Sequence, residues 1–172
     1  MTTTINASTS SGLVVTPDNS GNIVLQYNGV STPAFGVYLG STQSISNSTY
    51  TKINLNTVSF DTGSYFNTST NRYTPLVAGY YLFSLTCYFS GSAMTNIQAF
   101  LYKNGTNVKT CLMAGSFSMS DVQLNVQSII YMNGTTDYIE GYGYLSASSG
   151  NSFYDAGNGR STYMSGCLLR GA

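Results

Sequence analysis

The sequence predicts an all-β chain folded as a two-layer sandwich, and three observations predict it. No segment holds a helical period over three turns, and good helix formers are scarce. Gly, Ser, Thr, Asn and Tyr dominate while charged residues make up only 7%; Tyr and Thr suit strands, Gly and Asn suit their turns. About ten short apolar runs follow one another at fairly even spacing, with turn signals between them. At 172 residues the chain is long enough for one domain with a proper core.

The first unit, residues 1–32, reads as an arm. Leu13, Val14 and Val15, then Ile23, Leu25 and Tyr27, form short β-prone pieces separated by Pro17, Asp18, Asn19, Ser20 and Gly21. Two such strands are marginal alone, yet disordered tails lack β-branched clusters. The arm is therefore expected to order by adding strands to a neighbouring subunit or a partner's sheet edge. The alternative is an extra hairpin folded back on its own domain.

The second unit, residues 33–172, carries the sandwich. Ala34 to Leu39 is its first strand, Ile53 to Phe60 the second, and Tyr65 to Tyr73 follows around a bend. In the central strand, Gly79 to Phe89, Tyr81, Phe83, Leu85, Cys87 and Phe89 occupy one face. Its other face is also fairly apolar, so cover on both sides is expected. Ile97 to Lys103 ends at Asn104-Gly105, a two-residue hairpin signal, and pairs with Val108 to Met119. Val122 to Met132 points Val122, Leu124 and Val126 inward and ends at Asn133-Gly134, read as another hairpin turn. The returning strand carries Tyr138, Glu140, Tyr142 and Tyr144. Ser146 to Gly159 reads as a loop, and Ser161 to Leu169 closes a jelly roll.

One spacing points to a family. Leu55, Asp61, Phe66, Tyr73 and Gly79 are separated by five, four, six and five residues, and Tyr81, Phe83 and Leu85 follow at alternate positions. This resembles the signature of the C1q/TNF-like globular head, with Leu55 and Leu85 in place of aromatics and Tyr73 in place of Phe. Lys103-Asn104-Gly105 is similar to that family's strand-ending turn. Ser161 to Leu169, with Gly166 in register, is similar to its closing strand. The resemblance covers about Pro33 to Ala172. It implies a jelly roll that packs as a homotrimer around a threefold axis through one sheet, and calcium sites occur in some relatives.

A second resemblance lies in the arm. Thr4 to Ala7, Ser10 to Val14, Thr16, Asp18, Ser20, Gly21, Leu25 and Gln26 resemble opening segments of tail-fibre and other virion-surface proteins of tailed bacteriophages.

The chemistry is mostly an absence. With no histidine there is no His-based triad, general base or zinc site. The cysteines lack C-x-x-C spacing, and no phosphate-binding Gly-rich motif is present. No cofactor is expected, and the one open alternative is a calcium ion held by carbonyls with Asp61, Asp121 or Asp155. Cys87, Cys111 and Cys167 read as buried small hydrophobes, with a Cys87–Cys111 bridge as the alternative. The sequons at Asn6, Asn47, Asn67, Asn104 and Asn133 read as turn chemistry.

Formal net charge is zero, which gives no case for nucleic acid or an acidic membrane. No apolar run reaches transmembrane length, and MTTTINASTSSG has neither the basic nor the apolar region of a secretion signal. Fifteen tyrosines exceed the needs of one core. Tyr80, Tyr88, Tyr138, Tyr142 and Tyr144 are therefore the expected trimer-interface residues. The expected function is a non-enzymatic phage virion protein: a trimeric capsid decoration protein whose arm docks on the major capsid protein through Leu13, Val14, Val15, Ile23, Leu25 and Tyr27. One arm, one head and no stalk favour that role. A receptor-binding tail-fibre tip using the Ser146 to Gly159 loop, or a secreted C1q-like binding module, are the alternatives.

Overall fold

The computed structural model describes residues 26–27, 30–116, 119–155 and 161–172, and strands are the only regular elements among them. The first eight are β1 (Gln26–Tyr27), β2 (Val30–Ser31), β3 (Ala34–Tyr38), β4 (Gln43–Ser44), β5 (Thr51–Lys52), β6 (Thr57–Asp61), β7 (Phe66–Asn67) and β8 (Arg72–Tyr73). The long ones follow: β9 (Gly79–Ser92), β10 (Asn96–Lys103), β11 (Thr106–Ala114), β12 (Asp121–Met132), β13 (Ile139–Ser146), β14 (Ser149–Phe153) and β15 (Tyr163–Gly171). β1 pairs with β2, Tyr27 opposite Val30.

The remaining strands build two facing antiparallel sheets. One has seven strands, ordered β4-β14-β9-β15-β3-β6, with β12 on the free side of β9. The other has six, ordered β11-β10-β13-β8-β7, with β5 also paired to β13. This is the jelly roll that the strand pattern predicts. Gly79 lies opposite both Met132 and Gly171, so the start of β9 and the ends of β12 and β15 share one end of the sandwich. The chain enters β3 at that same end, where the Leu168 N–H donates to the Pro33 carbonyl.

Period-2 alternation fills the space between the sheets. Tyr81, Phe83, Leu85, Cys87 and Phe89 of β9 are fully buried against Ile97, Ala99 and Leu101 of β10 and Ile139 and Leu145 of β13. At one end the Phe35 and Tyr73 rings stack 3.9 Å apart, with Tyr81 and Phe83 alongside. The sheets stay close because β13 is small in the middle: a Cβ on Gly143 would stand 2.4 Å from the buried Phe153 ring.

The structure departs from the sequence expectations in five places. Ile53 to Phe60 is not one strand. β5 belongs to the six-stranded sheet and β6 to the seven-stranded one, and 53–56 crosses between them with Ile53 and Leu55 fully buried. The alternation is real, but a crossing segment that plugs the core alternates as a strand does.

Asn104-Gly105 is the expected hairpin, both residues having positive φ as a type I′ turn requires. Asn133-Gly134 is not. β12 pairs with β9 and β13 with β10, so this pair starts a crossover between sheets. Asn133 Oδ1 accepts the N–H groups of Thr135, Thr136 and Asp137 and ties the crossover into a compact turn.

The supposed loop from Ser146 contains β14. β9 runs on to Ser92, past the last β15 pairing at Thr86, and β14 fills that exposed edge while Phe153 packs on Phe89. The three cysteines are free, with Cys87 and Cys111 in opposite sheets, and only Cys87 is fully buried. Finally, the second face of β9 is not covered. Leu82, Ser84 and Tyr88 are half-buried and Tyr80 is exposed, because nothing among the described residues lies over that sheet.

Candidate binding surfaces

Two outer faces carry side chains that a two-layer fold leaves unused. On the seven-stranded sheet, Ile129 of β12, Leu82 of β9, Cys167 of β15 and Ala34 of β3 lie side by side across four strands. One step along, Tyr131 and Tyr80 pair with ring centroids 5.4 Å apart. Ile129 is 59% exposed, and Tyr80, Tyr131, Leu169 and Phe60 are about half exposed.

The Phe60 ring lies over Gly36, where a Cβ would meet it at 2.6 Å. Shallow hollows of about 460 and 220 Å³ flank that ring, the first towards Tyr38 and Tyr163, the second towards Leu82 and Cys167. Towards the other end the face becomes polar. Asn125 Nδ2 donates to Ser84 Oγ at 3.1 Å and Thr86 Oγ1 at 2.8 Å, with Gln123 and Gln127 on either side. This face is thus apolar at one end and polar at the other.

The outer face of the six-stranded sheet is aromatic. The registers place its side chains in rows that run from β11 to the short strands. Leu112, Gln98 and Tyr144 form one row, continued by Tyr50 just before β5. Thr110, Phe100, Tyr142 and Lys52 form the next, and Tyr102, Glu140 and Arg72 a third. Tyr50 leans on Tyr144 at 4.9 Å and on Phe100 at 5.4 Å, and Tyr102 stacks on Tyr142 at 4.2 Å.

The charges gather on one border of this face. Glu140 is only 1% exposed and its Oε1 receives Arg72 Nε at 2.8 Å together with Lys52 Nζ. Arg72 also lies 4.0 Å over the Tyr138 ring. The hydrogen bond to Glu140 holds the guanidinium more firmly protonated than usual, against the opposing pull of burial. Burial pushes the Tyr102 and Tyr142 hydroxyls up, which keeps them neutral donors.

The structure divides the expected interface tyrosines between these faces. Tyr80 and Tyr88 lie on the seven-stranded sheet, Tyr88 against Tyr154. Tyr138, Tyr142 and Tyr144 lie on the six-stranded sheet or at its border. Sequence reasoning missed Ile129, Tyr131 and Phe60 on the first face and Tyr50, Phe100, Tyr102 and the Glu140 cluster on the second. A signal existed for two of them: Ile129 and Tyr131 share the outward phase of Gln123, Asn125 and Gln127.

Of the arm residues, Leu13, Val14, Val15, Ile23 and Leu25 lie outside the described residues, and Tyr27 falls in β1. The three acids weighed for calcium are on separate elements. Asp61 accepts the Gly63 and Phe66 N–H groups, Asp121 accepts the Ser120 hydroxyl, and Asp155 follows β14. Among the described residues no three metal-ligating side chains come together.

No family model and no curated protein matches this chain. Solved structures do. The globular domain of zebrafish complement 1qA superposes with a TM-score of 0.58 at 16% identity, over 83% of this chain and 100% of that one. Murine APRIL gives 0.60 at 12% identity, over 81% and 100%. Eiger TNF from S. frugiperda gives 0.58 at 11%, over 82% and 93%. The fold is a C1q/TNF-like jelly roll. Within this C1q/TNF-like fold the signature positions are structural: Leu55, Tyr73, Tyr81, Phe83 and Leu85 are fully buried and Asp61 caps the turn into β7.

Proposed function

We propose that this chain is a non-enzymatic, homotrimeric protein of a tailed-bacteriophage particle, acting as a capsid decoration protein with its N-terminal arm latched onto the shell. The observation that carries the trimer is the half-apolar outer face of the seven-stranded sheet, centred on Leu82, Ile129, Tyr131 and Tyr80. A threefold contact through one sheet cannot use both outer faces. Tyr80 and Tyr88 therefore stay in the proposed interface, while Tyr138, Tyr142 and Tyr144 face away from it. The missing histidine supports the non-enzymatic reading, as does the commitment of Asp61, Asp137 and Glu140 to structural partners. The virion assignment rests on the arm's resemblance to phage surface proteins.

The test has two parts. Light scattering on the purified chain should give three times the 18.4 kDa chain mass. Quantitative mass spectrometry of particles should give a copy number approaching that of the major shell protein, and deletion of residues 1–30 should leave a folded trimer that no longer decorates them. A copy number of a few per cent of the shell protein would place the chain in the tail and overturn the decoration role. None in the particles would overturn the virion reading.

A further inference from the structure

We propose that the outer face of the six-stranded sheet is a binding platform for an acidic oligosaccharide, its pyranose rings on the tyrosines and its carboxylate on the Arg72–Lys52 border. This goes beyond the decoration role and does not depend on it.

The face has the parts such a ligand needs. Tyr50, Tyr144, Tyr142 and Tyr102 present ring surface and hydroxyls across β13, β10 and the residue before β5. With strands about 4.8 Å apart and two-residue steps of about 7 Å, the platform measures about 10 by 14 Å. That accommodates a di- or trisaccharide. Pyranose C–H faces stack on electron-rich rings, and the equatorial hydroxyls at their edge meet tyrosine hydroxyls and the Gln98 amide.

The charge balance selects the acid. Lys52 and Arg72 stand together on one border, and Glu140 between them neutralises one of the two positive charges. One positive charge is left facing the platform. The Arg72 guanidinium meets Glu140 through Nε and its side chain is 38% exposed, so its outer edge can meet a carboxylate in two-pronged fashion.

Tyr50 comes from outside the sheet to cover the outward-facing Phe100, and it keeps 56% of its own surface open to a ligand. A nucleic acid shares the need for stacking, but a phosphate at every step calls for several cations, and this face has a single net positive charge. A sugar acid, with sparse charge and many hydroxyls, matches it.

The test is calorimetric and saturation-transfer NMR titration of the full chain with an oligogalacturonate, with sialyllactose, with maltohexaose as the neutral control, and with an oligothymidine. One of the two acidic probes should bind with a Kd of about 1 mM or tighter, and maltohexaose about tenfold more weakly. Tyr50→Ala and Tyr144→Ala should each weaken the acidic probe about tenfold at a temperature where circular dichroism shows both variants fully folded. Arg72→Gln should remove the preference for the acid, and Arg72→Lys should retain it. Val58→Ala, at an exposed position on β6 of the other sheet, should bind as wild type. The proposal is overturned if neither acidic probe saturates, if maltohexaose binds equally well, if Tyr50→Ala is without effect, or if oligothymidine binds more tightly than both acids.

Discussion

Replacing Asp137 tests how the crossover from one sheet to the other is held. Its carboxylate accepts Lys103 Nζ at 2.7 Å, Asn104 Nδ2 at 2.7 Å and the Asn133 N–H at 3.0 Å. Hydrogen bonds to a charged group contribute about 1.5–3 kcal/mol each. Two of these donors have other recourse: Lys103 also donates to the Tyr131 carbonyl, and Asn104 sits in an exposed hairpin turn. The Asn133 N–H has none, so a net loss of about 3 kcal/mol is expected for Asp137→Ala. At this chain length that lowers Tm by about 6–12 °C.

Protonation should follow the same path. Burial pushes the Asp137 carboxyl up, but Lys103, Asn104 and the Asn133 N–H outweigh it, so the net shift is downward. A carboxyl held below its unfolded value of about 3.9 stabilises the fold above that pH, and the contribution fades as pH falls through the folded value. The stability gap between wild type and the always-neutral Asp137→Asn should be full at pH 7 and shrink below about pH 4. Urea unfolding across pH 2–7 measures both effects. A gap under about 1 kcal/mol at pH 7, or one unchanged at low pH, would refute the reasoning.

Gly134→Ala should cost about 3 kcal/mol, because φ is +72° and the new Cβ would stand 2.4 Å from the Ala78 backbone nitrogen. A fall in the urea midpoint at unchanged m-value would show it. Ile129→Arg, at an exposed position that folding does not need, should convert the proposed trimer to monomer in sedimentation; a persisting trimer would move the interface elsewhere. Ellman's reagent should reach Cys111 in the native trimer but not Cys87, whose thiol burial pushes well above its usual range, and should reach Cys167, on the proposed interface row, only after Ile129→Arg has split the trimer. All three should react in denaturant.

Much of this fold was legible because β9, β10 and β12 follow the simple rule of alternating burial, and the aromatic spacing from Leu55 to Leu85 matches a known head. What alternation cannot report is which sheet a strand joins. Ile53 and Leu55 alternate as strand residues would, yet they cross the core, and Asn133-Gly134 has the composition of a hairpin but spans two layers. β14 was hidden for a different reason: its Ser-Gly-Asn-Ser composition reads as loop, and it is a strand only because β9 offers an unpaired edge. The surfaces suffered most. Tyr50 meets Phe100 and Tyr144 only after folding, and Glu140 gains its two cations from strands far away in sequence.

The shared end of β9, β12 and β15 makes the head directional. The arm joins at that root, next to Gly79 and Gly171, while the opposite crown carries the turns 93–95 and 147–148. If the root is what a particle holds, cargo grafted into the crown points outward into solvent, whereas a tag added after Ala172 emerges beside the anchor and competes with it. Within the crown the exposed Ser149–Gly150 step is the place to insert a displayed peptide, since Ala147 is buried and bonded to Asn47, and the compact Asn133–Asp137 turn is the place to leave alone.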